Sequence, residues 1–368
     1  MAIMEQLSQV VIDYVKCLGA CAAGIATVDT LAGGPPSADL TYVLPDAKSA
    51  ISFALPLNQK LIRPFLRKKD RSSHERDNYR TNGLAGGLSV QLSKWLDQKG
   101  YPSIAQAPND VYRRDTPGGV LDMYPELSLR YLAVRSGVGH FGLSGNVITR
   151  DYGAAVILGC VVTTAELNPT DPLPDNESYC DNCRLCMASC ASALMDPKEK
   201  TRIKLGDFEF EYSKRRSYLR CDYVCGGFTG LHSSGKWSTW SPGRFPIPKD
   251  DAEIGPALAS SINAYCSRPE MEGGFHHSLM PGKLWQTCGN CQLVCHPDKE
   301  ERKRRYQMLT RSGVVVQHPD GELEAMPPEK ATSFLSAMDI EARALYEKIE
   351  SREKERHSLE DRAPSLPR

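Results

Sequence analysis

The sequence predicts an α/β protein in which a region of alternating helices and strands runs into a cysteine-rich, metal-binding region. Three observations carry this. Apolar residues recur at helical spacing over 4–18 and 83–98. Compact apolar runs at Ala50–Leu55 and Ala154–Val162 have the length and bounds of buried strands. Two cysteine strings follow, YCDNCRLCMASCA with Cys180, Cys183, Cys186 and Cys190, then TCGNCQLVCHPD with Cys288, Cys291 and Cys295.

Taken in order, the helix over 4–18 ends at Gly19, a residue that stops helices cheaply. TVDT leads into a Gly/Pro-rich loop, LAGGPPSAD, and then into the strand at Ala50–Leu55. Residues 83–98 read as a helix closed by Lys99-Gly100, and the alternation continues through Tyr131–Ser136 to the strand Ala154–Val162. A mixed or antiparallel sheet fits this order as well as a parallel one. The expected division is an α/β domain over 1–175, a cluster domain over 176–310 and a charged extension over 311–368. A long insert at about 198–283, rich in aromatics, Gly and Pro (GGFTGLHSSGKWSTWSPGRFPIP), reads either as a lid or substrate wall or as an irregular surface excursion. From Ala331 to Leu359 the pattern is one charged helix packed along a stripe of Phe334, Leu335, Met338, Ile340, Leu345 and Ile349.

The spacing of the first string has a physical reason. Two-residue gaps turn the backbone tightly, so that Cys180, Cys183 and Cys186 converge on one cubane cluster. The three-residue step carries Cys190 towards a second, as in bacterial ferredoxins. Tetrahedral zinc is the alternative, and it is usually held by two separate C-x2-C pairs or by Cys/His mixtures. Two 4Fe-4S clusters need eight thiolates, and the strings supply seven. Cys221, Cys225 and Cys266, all between the strings, are the candidates for the eighth, with a non-cysteine or open position as the alternative. Cys160 lies in the apolar run AAVILGCVV and reads as a buried structural thiol. Cys17 and Cys21, in CLGACAAG, read as helix packing.

Composition bounds the rest. A chain of 368 residues accommodates two or three domains. Lys plus Arg equals Asp plus Glu at 45 each, so nothing points to broad electrostatic capture of nucleic acid or an anionic membrane. The amino terminus, MAIMEQLSQVVIDYVK, lacks the basic region of a secretory signal, and no apolar stretch reaches bilayer length. With 13 cysteines, the expectation is a cytoplasmic, oxygen-sensitive metal protein, not a disulfide framework. No Walker-type loop, strand–GxGxxG–helix unit or GxSxG elbow is present.

Several segments together resemble epoxyqueuosine reductase, a cobalamin- and iron–sulfur-dependent family whose architectural relatives are the reductive dehalogenases. They are PDAKSAISFALPL at 45–57, ERDNY at 75–79, DMYPELSLRYLAVRSGVGHFG at 122–142, YGAAVILGCVVTTAEL at 152–167 and CGNCQLVCHPD at 288–298. The resemblance implies a nitroreductase-like α/β domain joined to a ferredoxin-like two-cluster domain, with cobalamin between them. It implies electrons passing from an external donor of ferredoxin or flavodoxin type through two clusters to cobalt and a reducible small-molecule group. It implies Asp122 as proton donor, where a turn or helix-cap role before Pro125 is the other reading. It sets the turn of Gly137, Gly139 and Gly142 against the corrinoid, where a packing bend is the other reading. It also favours Cys221, in Leu219-Arg220-Cys221, as the eighth thiolate. The family's Trp and Lys in the glycine segment are His140 and Leu143 here, and His140 is either an acid, a cobalt-side group or a hydrogen-bonded structural histidine. These departures, the neutral charge and the missing helical-repeat region argue against queuosine-tRNA as substrate. Two other functions fit the residues: a two-cluster electron-transfer protein without corrinoid, or a reductive activator of a partner corrinoid protein.

Overall fold

The computed structural model describes residues 2–106, 111–271 and 285–349. Helix α1 (Ala2–Cys17) leads to strand β1 (Ala22–Thr27), β2 (Ser49–Pro56), α2 (Gln59–Leu66), α3 (Ser72–Gln98) and β3 (Ser103–Gln106). After α4 (Leu129–Arg135), a two-residue ladder pairs β4 (His140–Phe141) with β5 (Val147–Ile148), and β6 (Val156–Thr163) follows. The main sheet has the order β1-β2-β6-β3 and every pairing in it is antiparallel.

Period-two alternation gives this sheet two buried faces. Ile25, Ile51, Phe53, Leu55 and Val161 meet Val11 and Val15 of α1 and Leu88, Leu92 and Leu96 of α3. Ala26, Ala50, Ala54, Cys160 and Val162 meet Leu129, Leu132 and Ala133 of α4. Small residues on the second face let α4 lie close. Cys160 is fully buried there, the structural role expected of it. Cys17 and Cys21 do not pack together in one helix: Gly19, at φ +104, ends α1 between them, and Cys21 donates its thiol to Ala54 O at 3.3 Å.

Beyond the sheet come α5 (Leu185–Ala188), the hairpin of β7 (Met195–Leu205) and β8 (Phe208–Arg215), α6 (Leu219–Cys225) and α7 (Ile254–Cys266). Next are α8 (Asn290–Val294), α9 (Lys299–Thr310), the hairpin of β9 (Val314–Gln317) and β10 (Leu323–Met326), α10 (Pro328–Ser336) and α11 (Ile340–Ala344). Over its described part the insert is folded and partly packed into the core. Its first stretch is the β7–β8 hairpin, and its aromatic stretch sends Trp237 and Trp240 into a core with Phe65, Leu66, Leu293 and Val294. Trp240 also donates its indole N–H to Phe65 O at 3.1 Å. Residues 272–283 of the insert lie outside the described residues. The single C-terminal helix is also corrected. Its described part is two short helices, because Asp339 breaks the pattern and caps α11 by accepting from Ala342 N at 2.7 Å. Residues 350–359 lie outside the described residues.

Within β6, Gly159 stands opposite Phe53 of β2. A methyl at Gly159 would sit 2.3 Å from the Phe53 ring, which is fully buried. Gly159→Ala is therefore expected to cost about 1–3 kcal/mol by overpacking, read as a lower denaturant midpoint. Adding Phe53→Leu should return part of the loss, and strictly additive effects would contradict the contact.

Candidate metal centre

Four cysteines from both strings line one small cavity: Cys180, Cys183, Cys186 and Cys295, with Gly142, Leu143, Ser144, Val294 and Arg302. Cys180 and Cys183 come from the turn leading into α5 and Cys186 from α5 itself, which ends at Ala188. The fourth comes from the far end of the second string. Burial pushes the Cys186 thiol up to about 12, and Cys291, Cys180 and Cys183 push the same way. Burial raises Cys295 also, and its thiol neighbours are Cys186, Cys180 and Cys183.

A second group adjoins the first. Burial raises Cys221, followed by the influence of Cys225, Cys291, Cys288 and Cys190. Burial pushes Cys288 up to about 12, with Cys291 and Cys190 adding to the rise. Cys291 feels Cys190 after burial, and Cys225 feels Cys288. The structure thus brings together Cys190 of the first string, Cys288 and Cys291 of the second, and both thiols of α6. Cys266 is exposed at the end of α7. Among the described residues, no three His, Cys, Asp or Glu side chains converge on the position of a single ion. The grouping rests on the first cavity and on the mutual proximity of the thiols beside it.

Gly153 lets the second string dock. Its φ is +61, and a Cβ there would meet Cys295 O at 2.5 Å. Ala154 N also donates to Cys295 O at 3.4 Å. Below the string, Arg305 donates to Leu293 O at 3.1 Å and to Glu301 at 2.9 Å, while Arg63 of α2 grips the same carboxylate at 2.6 Å.

The glycine segment lies against these thiols. Leu143 N donates to Cys180 Sγ at 3.3 Å, and Asn146 Nδ2 reaches Cys291 Sγ at 3.7 Å. Arg215 fixes that turn by donating to Ser144 O at 2.8 Å and Asn146 Oδ1 at 3.0 Å. Arg130 adds a bond to Gly145 O at 2.7 Å. Tyr218 receives both guanidiniums, which hold its phenol down at about 8 although burial alone would raise it. A Cβ at Gly137, Gly139 or Gly142 would meet this chain's own atoms, Asp171 O at 2.4 Å, Ile148 O at 2.6 Å and Ile148 Cδ1 at 2.7 Å respectively. His140 is half-buried, with Nε2 buried and without a partner, and its ring stands edge-on to Tyr179 at 6.0 Å. Burial lowers its pKa, opposed by Asp175 and Glu177.

Asp122 closes a single-turn helix over Gly119–Asp122, its Oδ2 accepting from Gly118 N at 2.8 Å. Motif reading missed the cations. Lys68 is buried, stands over the Trp240 ring at 5.6 Å and donates to Ser312 Oγ at 3.4 Å. Burial pulls it down to about 7, against the opposing influence of Cys288. Arg302 pairs with Asp181 and donates to His296 O at 3.2 Å and Pro297 O at 3.1 Å. None of these lies in a recognisable spacing pattern; only the fold brings them to the thiols.

Fold and site define a mixed α/β protein with two adjoining cysteine nests. No family model matches the chain. It is 29% identical over 167 residues to an epoxyqueuosine reductase of Atelocyanobacterium thalassa (isolate ALOHA), covering 44% of this chain and 48% of that protein. It is 29% identical over 182 residues to the epoxyqueuosine reductase of Gloeobacter violaceus, covering 49% and 51%. The chain spans about half the length of the curated relatives it matches. The relatives carry the name the sequence resemblance suggests. Among solved structures, an epoxyqueuosine reductase with a tRNA-Tyr epoxyqueuosine-modified stem loop aligns at TM-score 0.43 and 19% identity, covering 91% of this chain and 73% of that one. Among the described residues, no helix is long and apolar enough to cross a membrane.

Arg63 and Arg305 hold the Glu301 carboxyl at about 2, below its ordinary 4.5, although burial works against them. A depressed carboxyl contributes stability that is present above pH 4.5 and lost as pH falls towards 2. Glu301→Gln should cost about 3 kcal/mol at neutral pH by leaving buried Arg305 unpaired. It should also flatten the acid dependence of the unfolding midpoint in that window. An unchanged acid profile would contradict the assignment.

Proposed function

We propose that this chain is an iron–sulfur oxidoreductase of the epoxyqueuosine reductase type. In this reading one 4Fe-4S cluster is held by Cys180, Cys183, Cys186 and Cys295. The other is held by Cys190, Cys288, Cys291 and a thiol of α6. The carrying observation is the cavity lined by three thiols of the first string and the last thiol of the second, the interleaving that the ferredoxin spacing calls for.

The donor set fits such groups: all-thiol, mostly half-buried with Cys186 buried and Cys183 exposed, and with N–H donors and cations at hand. Bound clusters supply one-electron relay. The chain's own part is electrostatic. Leu143 N–H and Asn146 Nδ2 engage thiolate sulfur, and Lys68, Arg215 and Arg302 offset negative charge that burial disfavours. Thiols raised by burial are protonated at neutral pH, so metal binding must displace their protons.

The fit to a corrinoid is weaker. A Cβ at Gly137, Gly139 or Gly142 would meet this chain's own atoms, so their missing side chains open no room for a corrinoid. The buried, unpartnered His140 Nε2 is the one feature of that segment that suits an added group. Support for cobalamin therefore rests on the sequence likeness, and no step is derived through it. Asp122 is carried forward as the proton donor on the same likeness. Its carboxylate also closes the local turn. The electron donor proposed is an external ferredoxin or flavodoxin, and the substrate a reducible small-molecule group. The name of the relatives favours a second substrate, an epoxide on a modified tRNA nucleoside.

Anaerobic preparation from cells supplied with iron and cobalamin tests this reading. About eight irons and eight sulfides per chain are expected. One cobalt alongside them would support the corrinoid, and its absence would turn the proposal to electron transfer or partner reactivation. Zinc in place of iron would overturn it.

Lys68 supplies a finer test. A buried cation near Cys288 stabilises the more negative, reduced state of a cluster there. Lys68→Met should move one midpoint potential negative by about 60 mV, equivalent to about 1.4 kcal/mol for one electron, and Lys68→Arg should largely preserve it. No shift, or a positive one, would contradict the role.

A further inference from the structure

Among the cysteines of the two nests Cys183 alone is exposed, and no thiol of the second nest is. The cavity shared by Cys180, Cys183, Cys186 and Cys295 thus has its surface edge at Cys183. Helix α9 begins beside this edge, where Arg302 pairs with Asp181, two residues before Cys183. In turn α9 packs on α2: Leu309 shares a core with Ile62, Phe65 and Leu66, and Arg63 grips Glu301 at 2.6 Å. The exposed charges of this pair are mostly of one sign. Over 59–70 four cations and no carboxylate are exposed, and over 298–311 four cations stand against Asp298 and Glu300. In a chain of zero net charge this is a local excess of positive charge. Among the described residues, no large exposed apolar side chain lies on either helix.

A basic helical face is ordinarily just solvated. This one borders the single point where a thiol of either nest reaches solvent, and it is charged where a lasting interface would be apolar. Transient electron-transfer contacts bury little area and draw their encounter rate from complementary charge, which is what such a face offers. We infer that the α2–α9 face beside Cys183 docks an acidic ferredoxin, which passes its electron to the cluster of the first nest. The inference rests on the two-cluster reading above and deepens it by naming where the donor binds and which cluster it meets. In the step the ferredoxin is oxidised by one electron and the first cluster is reduced by one; no bond forms or breaks and no proton moves. The second nest, with no exposed thiol, receives its electron from the first.

The test uses the iron-loaded protein prepared anaerobically. Its clusters are reduced in stopped flow by a reduced acidic ferredoxin and, separately, by dithionite, and its affinity for the oxidised ferredoxin is measured by calorimetry at low and high salt. One variant combines Arg67→Glu, Lys299→Glu and Lys303→Glu on the proposed face. A control combines Lys16→Glu, Lys48→Glu and Lys94→Glu, which change the net charge equally at exposed positions elsewhere. In the first variant both the affinity and the rate with ferredoxin should fall about tenfold or more at low salt, and the difference should shrink at high salt. Its iron content and its reduction by dithionite should stay as in the wild type, and the control should stay within about threefold of the wild type throughout. No loss in the first variant, or equal losses in both, would overturn the proposal. So would wild-type clusters that dithionite reduces and ferredoxin does not. If the wild type binds no iron, the two-cluster reading fails instead, and that outcome is distinct from these.

Discussion

The docking of the second cysteine string against the start of β6 is the constraint on which the rest of the site depends. Cys295 can join Cys180, Cys183 and Cys186 only if its backbone reaches the chain at Gly153 and Ala154. Gly153 permits this because it has no Cβ and adopts a positive φ. Once Cys295 is seated, α8 is fixed, and with it Cys288 and Cys291 on the side facing Cys190 and α6. The antiparallel sheet matters here as a platform. With large residues turned to α1 and α3 and small ones to α4, it packs on both faces and anchors β6, the strand that follows Gly153 and Ala154.

A nest of buried thiols is unfavourable for thiolates, and much of the surrounding structure addresses that cost. Burial alone drives several of these thiols upward, and each adds to its neighbours' rise. Against this stand Leu143 N–H, Asn146 and three cations drawn from different parts of the chain. Lys68 comes from the end of α2, Arg215 from β8 and Arg302 from α9. Arg215 does two things, since it neutralises charge and holds the turn that presents Asn146 to Cys291. The aromatic insert supports the same region from below, with Trp240 packed under Lys68 and bonded to Phe65.

Much of this was legible in the sequence because spacing encodes it. The cysteine strings, the strands at Ala50–Leu55 and Ala154–Val162 and the buried Cys160 all follow from local pattern. Four features did not. The insert was ambiguous because an aromatic, Gly/Pro-rich segment has no period, and only tertiary packing tells a core segment from a loop. The C-terminal stripe suggested one helix because its apolar spacing continues through Asp339, which instead caps a new one. The glycines at 137, 139 and 142 signalled close approach correctly but not to what, since a missing Cβ makes room for protein and cofactor alike. The cations were invisible because their partners lie far away in sequence.

Thiols of both strings interleave at one site, Cys295 of the second joining Cys180, Cys183 and Cys186 of the first. EPR of the fully reduced, anaerobic protein tests it most directly. Two paramagnetic clusters are expected, their spectra broadened and split by mutual spin coupling. A spectrum that is the simple sum of two isolated clusters, or that contains one cluster only, would contradict it.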